Sequence, residues 1–349
     1  MNKIIELIDK LEQQHVLTKS EFVEIIENHT PETDEYLFEK ARKIREQHYG
    51  KDVYIRGLVE FTNYCKNDCY YCGIRRSAKQ TERYRLTKEQ ILSCCEQGYA
   101  LGFRTFVMQG GEDGFYTDEK MVDIISAIRA KYPDCALTLS IGERSRESYQ
   151  KFYDAGANRF LLRHETADSC HYSKLHPENL TLENRKKCLA DLKEIGFQTG
   201  CGFMVGSPYQ TTENLADDLI FIHDFKPHMV GIGPFIPHHD TPFANEKAGT
   251  LETTLLMLGL VRLILPNVLL PSTTALGTIH PSGREKGILA GCNVVMPNLS
   301  PLDVREKYLL YDNKISTGDE AAESVANLKK RMEAIGYKIV TARGDWKKD

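Results

Sequence analysis

VYIRGLVEFTNYCKNDCYYC, residues 53–72, changes character halfway along. Residues 53–61 are β-branched or apolar apart from Arg56, Gly57 and Glu60, and they read as a buried strand. The second half sets three cysteines, spaced C-x3-C-x2-C, among Asn63, Asn67 and Asp68. Offsets of 0, +4 and +7 also fit one face of a helix. Those polar residues and Gly73, however, are loop formers and poor in a helix interior. A strand therefore runs out into a thiol-rich loop.

Downstream, β-branched or apolar runs alternate with amphipathic stretches, one pair roughly every 25 to 45 residues. The strand candidates are 53–61, 104–109, 136–141, 159–165, 198–206, 229–236, 268–275 and 293–298. Helix starts are signalled by Thr87 with Gln90, Thr117, Ser145, Thr181 with Asn184, Thr211, Thr253 and Ser282. Gly102, Gly156, Gly196 and Gly291 stand where helices should end. Eight strand–helix pairs without a linker describe an α/β fold, a (β/α)8 TIM-type barrel over 51–311. An open doubly wound sheet fits less well, because no G-x-G-x-x-G follows the first strand. Residues 1–50 read as an N-terminal helical extension split at Thr30-Pro31, and 312–349 as a helical tail with its closing helix at 319–336.

The 349 residues are 41% apolar and 27% charged, enough for a sizeable core. A dispersed net charge of −4 argues against nucleic-acid or acidic-lipid partners. The longest apolar run, LLMLGLVRLILP at 255–266, is interrupted by Arg262 and stopped by Pro266, so no membrane span is expected. The N-terminal MNKIIELIDKLEQQ is an acidic amphipathic helix pattern, not a signal peptide, and a cytoplasmic monomer is the expectation. Cys94, Cys95, Cys135, Cys170, Cys188, Cys201 and Cys292 fall in apolar patterns and read as buried free thiols. Only Cys65, Cys69 and Cys72 cluster.

Active sites of such barrels gather where strands end, and the cluster lies at such a place. Three thiolates can hold zinc or an iron–sulfur cluster. Structural zinc asks for four protein ligands, and no second C-x2-C or His pair follows. A four-iron cubane also asks for four, so three cysteines leave one iron open to a reactive small molecule. Gly110, Gly111 and Glu112 follow the second strand, where glycines let the main chain approach a ligand. Ser140 ends the third strand. Arg163 and Glu165, two apart, share a face opposite Leu162 and His164, and charges facing a barrel interior are costly without partners. Thr273 and Thr274 offer donors to an anion, and Arg56 adds a permanent positive charge. His238, His239 and Asp240 sit beside prolines and read as a solvated loop rather than a metal site.

The cysteine spacing, with Tyr71 before the last thiol, resembles the radical S-adenosylmethionine (SAM) superfamily. That resemblance implies one 4Fe-4S cluster on Cys65, Cys69 and Cys72, with SAM chelating the open iron. Reductive cleavage of SAM would then give a 5′-deoxyadenosyl radical. It also implies SAM contacts at Tyr71, Gly110, Gly111, Glu112, Ser140, Arg163, Glu165, Arg185 and Met204. Among these, the Gly110–Glu112 main chain would receive the amino group, Glu165 the ribose or amino group, and Arg185 the carboxylate, with Met204, Val205 and Gly206 as an adenine shelf.

RYRLT (83–87), LLRHETA (161–167), MVGIGPFIPHHDTPFANE (229–246), STTALGTIHPSGRE (272–285) and NVVMPN (293–298) are similar to the HydE-type FeFe-hydrogenase maturases. This closer resemblance implies a substrate that is an iron–cysteine complex carrying carbon monoxide and cyanide, supplied by HydG. The product would pass toward HydF, and a low-potential electron donor is required. A far pocket for small anions or the iron complex is implied at Arg56, Gln109, Met229, Thr273, Thr274, Met296, Tyr308 and Tyr311.

One departure stands out. Some members carry a second cluster on three further cysteines, but here Ser316, Ser324 and Asn327 hold those positions and no cysteine follows Cys292. One cluster is expected. Related alternatives are a methylornithine synthase, which should place an acid in the far pocket for its substrate's ammonium, and a biotin synthase, whose extra cluster ligands are hard to find here. A non-catalytic iron or zinc carrier is the alternative from another class.

Overall fold

Three helices, Lys3–Gln14, Lys19–Asn28 and Pro31–Tyr49, precede the first strand of the computed structural model, which describes residues 2–315 and 321–348. The Thr30-Pro31 break is a helix start: the Thr30 side chain accepts from the Thr33 amide, and Pro31 opens the first turn, where no intrahelical N–H is needed. The third helix packs on Leu251–Ile264, which is buried from Thr254 to Ile264. Arg262 within it is fully buried and donates to the carbonyls of Gly291 (2.9 Å) and Pro266 (2.8 Å).

The strands are β1 Asp52–Ile55, β2 Gly57–Thr62, β3 Thr105–Gly110, β4 Ala136–Ser140, β5 Arg159–Leu161, β6 Gln198–Cys201, β7 Met204–Val205, β8 Met229–Val230, β9 Gly233–Pro234, β10 Val294–Val295 and β11 Lys338–Val340. β2, β3, β4, β5, β6 and β8 pair in that order, all parallel. Main-chain bonds complete the ring. Val230 N donates to Leu269 O (3.1 Å), Ser272 N to Val294 O (2.8 Å), and Arg56 N to Val295 O (3.0 Å). The result is the eight-membered parallel barrel expected from the strand spacing, wrapped by helices such as Lys88–Ala100, Asp118–Lys131 and Thr212–Phe225.

Several predicted strands are shorter than their apolar runs. The first divides at Arg56 and the fourth ends at Leu161. The fifth divides at Gly202, whose φ is +152° and where a Cβ would come within 2.0 Å of Gly231 O, so no side chain fits there. The sixth becomes β8 and β9, and 268–275 contributes only single bridges at Leu269 and Pro271 because a helix starts at Thr274. Helix starts at Thr87, Thr117, Ser145, Thr181 and Thr211 carry side-chain caps. Thr250, not Thr253, caps Leu251–Ile264, and Ser282 makes no cap bond. Cys170 is exposed on the short helix Ser169–Leu175, correcting its assignment to the core. The closing helix spans Ala321–Ala334, and the β11 strand after it pairs with β1. No helix among the described residues is long and apolar enough to cross a membrane.

Candidate active site

β2 alternates: a Cβ on Gly57 would strike Leu299 and Phe103, so its face points outward and Leu58 and Glu60 point into the barrel. Beyond Thr62 the chain leaves the sheet as the cysteine loop. Lys66 N donates to Glu112 O (2.9 Å), joining this loop to the end of β3. A Cβ on Gly111 would lie 2.2 Å from Tyr64 O and 2.7 Å from Cys65 Cβ, so glycine is needed for the main chains to meet. Asn63 fixes the loop's return by donating to Glu82 O (2.8 Å) and Lys307 O (2.7 Å). Arg83 donates to the carbonyls of Asn63, Ile74 and Arg75.

Cys65, Cys69 and Cys72 are half-buried free thiols. Burial raises all three, Cys72 to about 12, and for Cys69 and Cys72 repulsion from a neighbouring thiolate of the trio is the next cause.

Glu112 accepts from Glu143 N (2.8 Å) and lies over Gly142, whose φ is +74°. Lys66 Nζ is 3.1 Å from its other oxygen without hydrogen-bond geometry. After β5, Glu165 adopts φ +65°, a conformation rare outside glycine. Its N–H donates to Gly202 O (3.0 Å), and Met204 N donates back to its carbonyl (3.3 Å). His164 is wholly buried: its Nδ1 accepts from Gly202 N (3.3 Å), so Nε2 carries the proton toward Asp218 Oδ1 (3.1 Å). Asp218 also accepts from Ala167 N (2.6 Å). This pair clamps both sides of the strained turn.

Glu165 Oε2 lies 3.0 Å from Arg163 Nη2, again without hydrogen-bond geometry, and both atoms are buried with their bonding unspent. Arg185 donates to Arg163 O (2.5 Å) and Glu143 Oε1 (2.5 Å). Glu143 was not foreseen from the sequence; it lies two positions beyond the third predicted strand, and nothing local marks it. Tyr71 faces His176 Nε2 (3.1 Å), and Tyr71, Leu175, Met204 and Phe235 form one apolar cluster. Among the described residues no hydrogen bond involves the Ser140 side chain, which is level with Gln109 on β3.

Deeper in the barrel, Arg56 is buried, and its one side-chain hydrogen bond among the described residues reaches Met229 Sδ (3.2 Å). Its Nε and Nη2 are unsatisfied. Thr273 sits at a helix start without a cap bond, and its buried hydroxyl is also unsatisfied. Arg284 donates to Thr274 Oγ1 at 3.4 Å, and Met296 lines a cleft with Leu58, Thr274 and Lys314. Gln109 reaches Tyr308 OH at 3.4 Å, while burial lifts Tyr311 to about 12. Glu60, another group missed in the sequence, takes Lys314 Nζ (2.5 Å) and Asn298 Nδ2 (2.8 Å).

His238, His239 and Asp312 converge within 4.8 Å, and His238 is buried, not solvated as its prolines suggested. Asp240 N donates to His238 Nδ1 (3.1 Å), which leaves the ring proton on Nε2, the nitrogen that would have to bind a metal. Of the positions that stand where a second cluster would be, Ser324 is buried on the closing helix, Asn327 is on the same helix, and Ser316 lies outside the described residues.

The chain matches the Radical SAM superfamily model over residues 59–222. It is 44% identical over 335 residues to the FeFe hydrogenase maturase subunit HydE of Thermotoga maritima, covering 95% of this chain and 94% of that one. Identity to the 3-methylornithine synthase of Methanosarcina acetivorans is 28%, over 86% and 84% of the two chains. The crystal structure of a methylornithine synthase aligns with TM-score 0.85 at 26% identity, over 96% of this chain and 97% of that chain. The structure of the maturase HydG aligns with TM-score 0.79 at 20% identity, over 97% and 76%, a likeness of fold alone. This chain belongs to the HydE-type FeFe-hydrogenase maturases of the radical SAM superfamily, enzymes that work with a 4Fe-4S cluster and S-adenosylmethionine.

Proposed function

We propose that this maturase acts on an anionic iron–cysteine complex carrying carbon monoxide and cyanide, held beneath the cysteine loop inside the barrel. The observation that carries this is Arg56, a buried guanidinium with unspent donors and, among the described residues, only a thioether as its side-chain hydrogen-bond partner. A guanidinium does not shed its proton in a protein, so an anionic guest is the way to compensate it. The Thr273 hydroxyl, likewise unspent, adds a donor. The one carboxylate found inside the barrel on β2, Glu60, is already neutralised by Lys314, which weighs against an ammonium-bearing substrate such as a methylornithine synthase would take.

Cys65, Cys69 and Cys72, three half-buried free thiols on one loop, would hold the cluster. When bound, cluster and SAM supply a 5′-deoxyadenosyl radical through one-electron cleavage of the sulfonium. The main chain at Gly110–Glu112 would receive the SAM amino group, and Glu165, with Arg163 beside it, has an unspent oxygen for a ribose hydroxyl or that ammonium. Arg185 would take the carboxylate in competition with Glu143. Tyr71, Ser140 and Met204 would line the nucleoside, with Phe235 beneath. Gln109, Met229, Thr274, Met296, Tyr308 and Tyr311 would enclose the guest and keep water and stray hydrogen donors away. Supply of substrate by HydG, transfer of product toward HydF and action as a monomer complete the proposal.

Anaerobic reconstitution followed by incubation with SAM and dithionite tests it. About four irons per chain are expected, from one cluster. 5′-Deoxyadenosine should form faster with the iron–cysteine complex than with lysine or dethiobiotin. Stimulation by lysine instead would reassign the substrate, and no 5′-deoxyadenosine under any condition would leave only a metal carrier.

A further inference from the structure

The radical step consumes an electron, and none of the residues described so far supplies one. The cysteines are only half-buried, so the shortest way out from them is through their own loop. Between Cys65 and Arg85 that loop has six basic and two acidic residues; Lys66 faces Glu112 (3.1 Å) and Arg85 faces Asp113 (2.7 Å), while Arg76 and Lys79 stand exposed. Neither acid is free: Asp68 accepts from Arg75 Nε (2.7 Å) and Ser77 Oγ (2.7 Å), and Glu82 takes Lys307 (2.6 Å). Among the described residues no carboxylate lies within ion-pair distance of the side chains of Arg76 or Lys79, both exposed, although Asp240 accepts from the main-chain amides of Lys79 and Gln80.

An aromatic strip adjoins this loop. Arg75 lies 5.8 Å over the Tyr70 ring, Tyr70 meets Phe243 edge-on at 6.2 Å, Phe243 meets Tyr209 at 6.2 Å, and Lys174 stands 5.4 Å over Tyr209. Tyr209 is 58% exposed and has φ +65°. A bulky residue held in left-handed backbone costs stability, and its ring, left in solvent, recovers none of that cost by burial; functional surfaces keep strain of this kind. Tyrosine and arginine are enriched in binding hot spots, and this strip sets Arg75 over Tyr70 beside the exposed Tyr209.

We propose that Tyr70, Tyr209, Lys174, Arg76 and Lys79 form the docking face for a small, strongly acidic one-electron carrier protein. Uncompensated positive charge beside the cysteines steers an acidic partner to the place where its redox group comes nearest the cluster. One electron passes from the reduced carrier to the cluster; the carrier is oxidised by one electron and no atom is transferred. This rests on the radical SAM chemistry above.

The test uses the reconstituted enzyme with SAM and compares 5′-deoxyadenosine formation driven by a reduced acidic flavodoxin with formation driven by dithionite. Lys174→Glu combined with Arg76→Glu should lower the flavodoxin-to-dithionite rate ratio by about tenfold, as should raising salt from about 20 mM to about 300 mM for the unaltered chain. Tyr209→Gly, which relieves the backbone while removing the ring, should lower the same ratio by a smaller factor. A ratio unchanged in both variants overturns the docking face; a folding defect lowers both rates together, so it cannot imitate the expected fall. Failure with dithionite as well as flavodoxin in the unaltered enzyme would instead strike at the radical SAM chemistry.

Discussion

Arg56 spends one N–H on the Met229 thioether and leaves its buried Nε and Nη2 without hydrogen-bond partners among the described residues. Burial, and then repulsion from Arg159, pushes this guanidinium well below its ordinary range, so the fold bears a cost there that an anion would relieve. Arg56→Met should therefore raise the stability of the ligand-free protein by about 1–3 kcal/mol, read in thermal or urea unfolding, while abolishing stimulation by the iron–cysteine complex. A loss of stability would mean that Arg56 is structural. Gly111→Ala should act oppositely, because its Cβ would be forced onto the Tyr64 carbonyl and the Cys65 side chain. Iron retained after reconstitution should fall by more than half in that variant, and the unfolding midpoint should drop as well, since Gly111 is buried and the clash is with main chain. Positions such as Arg163, Glu165 and Arg56 were legible before folding because a charge in a strand pattern is conspicuous. Glu143, Glu60 and His176 were not, because their significance comes from which side chain the tertiary register sets opposite them.

The same division holds for the elements. Helix starts at Thr87, Thr117 and Thr211 could be read because a cap bond joins residues two or three apart. The strands' order could be read too, since each apolar run must pair beside its predecessor. Their lengths could not: Gly202 and Gly231 break the fifth and sixth staves through a close main-chain contact that apolar composition does not report. β11 was missed for a related reason, for Lys338–Val340 is half-exposed and pairs only with β1. The chain beyond it covers the start of the barrel strands: wholly buried Arg159 donates to the carbonyls of Arg343 and Gly344 (both 3.1 Å) and to Asp345 (2.7 Å), and Trp346 meets His228 edge-on. Asp345→Asn leaves that guanidinium without a carboxylate. It should cost about 1–2 kcal/mol, less than a fully buried pair because the Asp345 side chain is 40% exposed. Limited proteolysis should then cleave the C-terminal segment sooner, and equal rates for both forms would show that main-chain bonds alone hold it.

Across the whole molecule, four histidines among the described residues are buried and a fifth, His228, is half-buried, all as neutral rings. Desolvation is the first cause in each case: His164 is held well below its ordinary range, His176 down to about 3, and His171, His228 and His238 are lowered. Each ring binds a proton more readily in the unfolded chain, where its pKa is about 6.5, so stability is full above that value and is lost as pH falls below it. Two groups oppose the trend. His29, raised mainly by its bond to Asp34, gains stability below about pH 6.5, and Asp218, raised by burial, favours the fold as the solution acidifies. Five against two leaves a net acid sensitivity. His176 alone, stacked on Tyr172 and bonded to Tyr71, should contribute about 1.4 kcal/mol per pH unit between about pH 6 and pH 4. The unfolding midpoint of the metal-free chain should thus fall steadily between about pH 7 and pH 5, and His176→Gln, which removes one titrating ring, should flatten that slope even if it lowers the midpoint at pH 7. A variant profile parallel to that of the unaltered chain would show that His176 is already protonated within the fold, and the Tyr71 contact beside the cysteine loop would then be a charged one.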